Sequence, residues 1–168
     1  MDGGGWRRAK LPGGASPKHL EEMEGKRVKT LRRHGKFLLM ELSDRSTFLV
    51  HLGMTGKLLF AEPGEEERNH THLVVGLDDE RQLRFSDPRR FGLLKLFGPG
   101  KPISAFDHYG VDALDPAFTP GALGALLECS GSTPKAFLLG PPKLAGVGTR
   151  SAREDHVCAH HSRPRPRR

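Results

Sequence analysis

Three groups of residues in this sequence have the types and spacing to do chemistry. The first is the hexapeptide Asp87-Pro88-Arg89-Arg90-Phe91-Gly92. It sets two adjacent guanidiniums and an aromatic ring between two apolar, strand-like runs, residues 82–86 and 92–97. Arginine forks match phosphates and base edges, and an apolar ring beside them can enter a base stack as a wedge. Taken alone, the hexapeptide reads more simply as a solvated turn, because Asp-Pro is good turn chemistry. The second group is His51-Leu52-Gly53-Met54-Thr55-Gly56, a strand end followed by a turn with two glycines. Glycines there let the backbone approach something closely, and a methionine at a loop tip calls for packing or insertion. His51 serves equally as a hydrogen-bonded strand histidine or as a phosphate contact. The third is Lys36, which closes the cluster Lys26, Arg27, Lys29, Arg32, Arg33 and Lys36, six cations in eleven residues with no acid among them. A lysine entering a strand from a glycine turn can hold a phosphate or pass on a proton. A surface lysine with a hydrated head is the commoner alternative.

Other chemistries lack the residues they need. His70 and His72 would share one strand face, but no third or fourth ligand stands at a metal-site spacing. His156, Cys158, His160 and His161 lie in sequence without an apolar pattern. Cys129 and Cys158 are the only cysteines and form no C-x-x-C pair, so neither a zinc ribbon nor a disulfide framework is encoded. Gly146-Val147-Gly148 lacks the preceding strand and third glycine of a dinucleotide fingerprint, and no P-loop or nucleophile elbow occurs. No metal and no cofactor are expected in this chain.

The elements that must position these groups read as follows. The chain has 168 residues, enough for one domain or slightly more with a proper core. Its net charge of +7 is concentrated at the ends. Residues 149–168 hold six arginines against Glu154 and Asp155, and residues 1–14 hold three basic groups against Asp2. Overall basicity is therefore weak evidence about the folded part. No apolar run is long enough to cross a bilayer, and the start, Met1-Asp2-Gly3-Gly4-Gly5-Trp6, has no apolar signal region, so a cytoplasmic protein is expected.

Residues 1–14 read as a loop or disordered lead. Ser16-Pro17 opens a short helix over 16–23, with Leu20 and Met23 facing the core and Gly25 ending it. From Arg27 onward the apolar period falls to two. Strands are expected near 28–31, 37–42, 47–52, 57–60, 72–77, 82–86 and 93–97, broken by turn residues such as His34-Gly35 and Asp78-Asp79-Glu80. Residues 63–69 form an acidic loop. Seven short strands at this spacing predict an antiparallel β-sandwich or barrel over 15–98. Residues 99–115 are irregular. Thr119-Pro120 and Thr133-Pro134 then each open a helix with an N-cap and a proline at the first position, within a helical segment over 99–148. After Gly148 the apolar pattern stops, and 149–168 reads as a basic, disordered tail. The fold class is mainly β with a helical C-terminal part.

Three stretches in this order closely resemble the formamidopyrimidine-DNA glycosylase and endonuclease VIII family of base-excision repair enzymes. They are Arg32-Arg33-His34-Gly35-Lys36-Phe37-Leu38-Leu39-Met40-Glu41-Leu42, His51-Leu52-Gly53-Met54-Thr55-Gly56-Lys57-Leu58 and Asp87-Pro88-Arg89-Arg90-Phe91-Gly92. Weaker similarity runs through His70-Thr71-His72-Leu73, Tyr109-Gly110-Val111-Asp112-Ala113-Leu114, Pro134-Lys135-Ala136-Phe137-Leu138-Leu139 and Lys143-Leu144-Ala145-Gly146-Val147-Gly148, so that it covers residues 15–148. The resemblance implies a β-sandwich followed by the start of a helix-two-turn-helix domain. It implies a monomer that flips a damaged purine out of double-stranded DNA, removes it and nicks the strand. By the same resemblance Lys36 is the active-site lysine. Met54, Arg89 and Phe91 fill the gap left by the flipped base, and His51, Arg90 and Lys135 contact phosphates.

The departures shape the expectation too. The family opens with P-E-L-P-E, whose proline amine is the nucleophile and whose glutamate is its acid partner, and this chain holds no such segment. The asparagine-led helix after the Gly-Val-Gly run and the zinc finger of paired cysteines also lack counterparts, and Gly140 stands where an acidic residue is usual. These differences imply a chain truncated relative to the family, with an unpaired strand edge, and the change of character at Gly148 resembles out-of-frame translation. They leave two functional readings open: a glycosylase and abasic-site lyase, or a module that grips damaged DNA without cutting it. A third expectation is a decayed fragment that does not fold stably.

Overall fold

The computed structural model describes residues 6–7 and 21–159. It divides into two compact units, Met1–Arg33 with Phe37–Pro102, and His34–Lys36 with Ile103–Arg168.

The first unit is a β-sandwich. One sheet has the strand order β2-β3-β4-β8, made of β2 (Val28–His34), β3 (Phe37–Leu42), β4 (Thr47–His51) and β8 (Leu93–Phe97). The other has the order β1-β6-β7-β5, made of β1 (Trp6–Arg7), β6 (Thr71–Gly76), β7 (Gln82–Ser86) and β5 (Lys57–Ala61). Alternation along the strands sends Met40, Leu42, Phe48, Val50, Leu94 and Leu96 of the first sheet into one core with Leu73 and Phe85 of the second. Met23 joins them. Register follows from this pattern, because a one-residue slip would turn each of these side chains out of the core.

β1 falls in the stretch read as a loop lead. Its two residues pair antiparallel with β6, Trp6 opposite Val75 and Arg7 opposite Val74. The short helix expected over 16–23 lies mostly outside the described residues; from Glu22 the chain turns and reaches Gly25 in the left-handed region. Arg84, inside β7, is buried and donates to the carbonyls of Glu65 and Glu66 at 2.6 and 2.9 Å, which pins the acidic loop to the sheet.

The second unit includes a 3-10 turn, Ser104–Phe106. Two helices start as their Thr-Pro pairs predict. In α1 (Pro120–Glu128) the Thr119 hydroxyl accepts from the Ala122 amide at 3.2 Å, and in α2 (Pro134–Leu138) Thr133 accepts from Ala136 at 3.3 Å. A small parallel pair, β9 (Val111–Asp112) with β10 (Leu144–Ala145), and a third helix, α3 (Thr149–Cys158), have no counterpart in the sequence reading. α3 corrects the expectation of a disordered tail directly after Gly148. Its residues include good helix formers (Ala152, Arg150, Arg153 and Glu154), its Ala152 is fully buried, and the helix packs against α2. Among the described residues no helix is long and apolar enough to cross a membrane.

Candidate nucleic-acid interface

Two loops of the sandwich meet at one carboxylate. The first, residues 52–56, joins β4 to β5, and the second, residues 87–92, joins β7 to β8. Asp87 directly follows β7, with its side chain fully buried. Its Oδ1 accepts from the Thr55 hydroxyl at 2.5 Å and from the Arg89 amide at 3.3 Å, while Oδ2 accepts from the Gly92 amide at 2.8 Å. Burial pushes the Asp87 pKa up, but the Thr55 hydroxyl and the amides of Gly92, Arg89 and Phe91 outweigh it and hold the group below the ordinary Asp value. The carboxylate is thus charged and nearly saturated with donors. It ties the first loop to the second and closes the second on itself.

The same corner fixes the backbone. Nε2 of the buried His72 lies 2.8 Å from the Asp87 carbonyl. His72 reaches it because the β6–β7 register shifts between Thr71 and Leu73, a bulge that re-aims one side chain. His70 precedes the strand with φ +64°, so the two histidines do not share a strand face as expected. Gly53, at φ +64°, comes so close to the second loop that a Cβ there would lie 2.6 Å from the Phe91 carbonyl carbon. Only glycine fits.

Met54, Arg89 and Phe91 stand on this base. The Arg89 guanidinium lies 4.5 Å from the Phe91 ring centroid, and its Nη1 lies 3.5 Å from the Met54 sulfur. A thioether and a ring therefore flank one guanidinium. Met54 and Phe91 are 72% and 56% exposed, though each would gain about 2 kcal/mol from full burial. Large apolar groups on tips tied down this firmly are placed to meet something outside the protein. Arg90 follows at φ +56° with its side chain exposed. His51 ends β4, packs its ring 4.8 Å from Phe37, and accepts the Gly53 amide on Nδ1 at 3.1 Å.

Lys36 belongs to the second unit. The Gly35 amide beside it donates to Oδ2 of the buried Asp112 at 2.6 Å, which pins the hairpin turn to β9. The Lys36 ammonium lies 3.4 Å from the Val147 carbonyl and against Gly148, where a Cβ would come within 2.6 Å of Nζ. Gly148 is the N-cap of α3 and brings no side-chain cap. An ammonium and the positive end of a helix dipole thus converge at one glycine, an arrangement completed by an anion. Lys135 is exposed on α2, in the same unit.

The basic cluster is less available than its sequence suggests. Lys26 pairs with Asp44 at 2.6 Å and Arg32 with Glu41 at 3.0 Å, both partners coming from outside the cluster. Sequence reasoning took Asp87 for a turn former, weighed His72 only as a metal ligand and within the resemblance, and passed over Thr55 as a partner of Asp87. Thr55 alone carried a signal: a hydroxyl between two close-approach glycines has little to pack against and suits a hydrogen bond. Both cysteines are exposed and free, and among the described residues no three His, Cys, Asp or Glu side chains converge.

Comparison with known proteins agrees with the fold and the motifs. The sequence model of the formamidopyrimidine-DNA glycosylase N-terminal domain matches residues 6–94. Formamidopyrimidine-DNA glycosylase of Wolbachia sp. subsp. Drosophila simulans is 32% identical over 150 residues, covering 89% of this chain and 55% of that protein. That of Chloroflexus aurantiacus is 37% identical over 131 residues, covering 77% and 47%. Lactococcus lactis Fpg in complex with abasic-site DNA superposes with a TM-score of 0.79 at 26% identity, over 90% of this chain and 57% of that one. MutM in complex with DNA containing carbocyclic 8-oxo-G gives a TM-score of 0.72 at 27% identity, over 81% and 51%. The chain spans about half the length of the relatives it matches. With the sandwich, the paired loops and more than half of the sequence in agreement, the chain belongs to the formamidopyrimidine-DNA glycosylase family.

Proposed function

We propose that this chain serves base-excision repair in the cytoplasm, as the lesion-probing part of a DNA glycosylase and abasic-site lyase acting on oxidised purines in duplex DNA. One observation carries the reading: Arg89, held between Met54 and Phe91 over the buried Asp87 clamp. A flipped base leaves a hole one base deep in the stack. Met54 fills it, the Arg89 fork meets the orphaned base, and Phe91 wedges the step that opens. His51, Arg90 and Lys135 are assigned to backbone phosphates by type and exposure. Lys36 is assigned to a phosphate beside the reacting sugar, where the start of α3 adds to its charge. Relatives of the same fold have been seen with abasic-site DNA and with 8-oxo-G DNA, which supports this substrate class.

A second reading, lesion binding without bond breaking, has one observation in its favour. The Lys36 ammonium sits against a carbonyl, with no carboxylate beside it among the described ion pairs. That setting suits a positioned cation better than an attacking amine. Borohydride trapping on a duplex with one abasic site separates the two. A covalent adduct that disappears in Lys36→Ala establishes chemistry by this chain. Absence of an adduct, with abasic duplex still bound more tightly than intact duplex, establishes the second reading. Equal binding of the two duplexes sinks both.

A further inference from the structure

Lys143 is a half-buried ammonium whose polar partners are neutral. Its Nζ donates to the Ser130 hydroxyl at 2.6 Å and to the Ser132 hydroxyl at 2.8 Å, and it lies 5.4 Å from the centroid of the buried Phe137 ring. No carboxylate pairs with it among the described residues. Ser130 Oγ also accepts the Ser132 amide at 3.3 Å. Both its lone pairs are therefore taken, and its own proton has no acceptor among the described residues. The Ser132 hydroxyl also spends a lone pair on Lys143 and keeps its proton. Among the described residues the cluster holds more donors than acceptors and a half-buried charge without a counterion. The group that completes it accepts hydrogen bonds, carries negative charge and donates nothing: an oxyanion.

We propose that Ser130, Ser132 and Lys143 form a phosphate-binding site in the helical unit, separate from Lys36, and that it takes a backbone phosphate of the bound duplex. This rests on the DNA-binding reading for the source of the phosphate, not for the chemistry of the site. The site shares the α1–α2 connection and the start of α2 with exposed Lys135, so two cations of one unit serve the same polyanion. A phosphate oxygen replaces no protein contact there. It accepts the two serine protons and faces the ammonium that the serines already orient.

The test is the salt dependence of duplex binding by the full chain. Neutralising one phosphate contributes about 0.9 to the slope of log affinity against log salt, so losing it removes about a threefold change between 50 and 200 mM salt. Lys143→Met and the double variant Ser130→Ala with Ser132→Ala are expected to lower that slope by about one contact, equally for intact and abasic duplex. Lys143→Arg is expected to keep it. Duplex binding with an unchanged slope in Lys143→Met overturns the proposal, even if that variant melts earlier, because a purely structural cross-link would behave that way. If the wild-type chain binds no duplex, amide NMR shifts on adding inorganic phosphate decide. Shifts at Ser130, Ser132 and Lys143 that vanish in Lys143→Met uphold an oxyanion site fed by free phosphate, and their absence overturns it.

Discussion

Asp87 is the residue on which the loops 52–56 and 87–92 depend. Replacing one of its oxygens by a donor leaves at least one of three clamped groups, the Thr55 hydroxyl or the amides of Gly92 and Arg89, without its acceptor. Asp87→Asn presents an NH2 to at least one of them and should cost about 1–3 kcal/mol, read as a lower melting temperature of the full chain. Thr55→Val should cost less, and Thr55→Ser should be close to wild type because the hydroxyl is retained. The pH dependence has a definite sign. A carboxylate whose folded pKa lies below its unfolded value contributes stability that is fully present above the ordinary Asp value of 3.8. That stability is lost as pH falls through the lower folded value. The clamp should therefore hold unchanged from neutral pH to about 5, and a melting temperature that falls between pH 7 and 5 in wild type but not in Asp87→Asn would contradict this.

At the scale of elements, the sandwich strands were legible because period-two alternation states which face is buried. Met40 and Leu42, or Phe48 and Val50, declare it within one strand. The probing loops were legible as candidates because arginines, a ring and a methionine between glycines are unusual turn contents. What joins them was not, because Thr55 and Asp87 are 32 positions apart and their meeting depends on strand register. The His72 bulge was hidden for the same reason. β9 and β10 have two residues each, too few to show a period, and α3 lacks an apolar stripe, with Ala152 buried but Val157 exposed. Two substitutions test these placements. Gly53→Ala forces a Cβ into the second loop at a left-handed residue and should destabilise by about 1–3 kcal/mol in denaturant unfolding while weakening duplex binding. Ala152→Leu overpacks the core of the helical unit and should cost about 1–3 kcal/mol. A neutral result there would show that α3 is not packed.

For the whole molecule, charge gives a poor guide to the interface. The net +7 is mostly terminal, and at least two of the six clustered cations, Lys26 and Arg32, are already paired within the fold. On the proposed reading, recognition of a lesion falls instead to Met54, Arg89 and Phe91 over the Asp87 clamp, with phosphate contacts adding affinity that carries no sequence or damage information. Substituting the phosphate-contact residues should thus weaken intact and damaged duplex alike, whereas the probing set should control the difference between them. The most direct measurement is the ratio of affinities for an abasic-site duplex and the intact duplex of the same sequence, at one salt concentration. It should be made for the wild-type chain and for Met54→Ala, Arg89→Ala and Phe91→Ala combined. The wild type is predicted to prefer the abasic duplex by about tenfold or more, equivalent to about 1.4 kcal/mol, and the triple variant to bind both about equally. A triple variant that is folded and keeps the wild-type ratio would contradict the account.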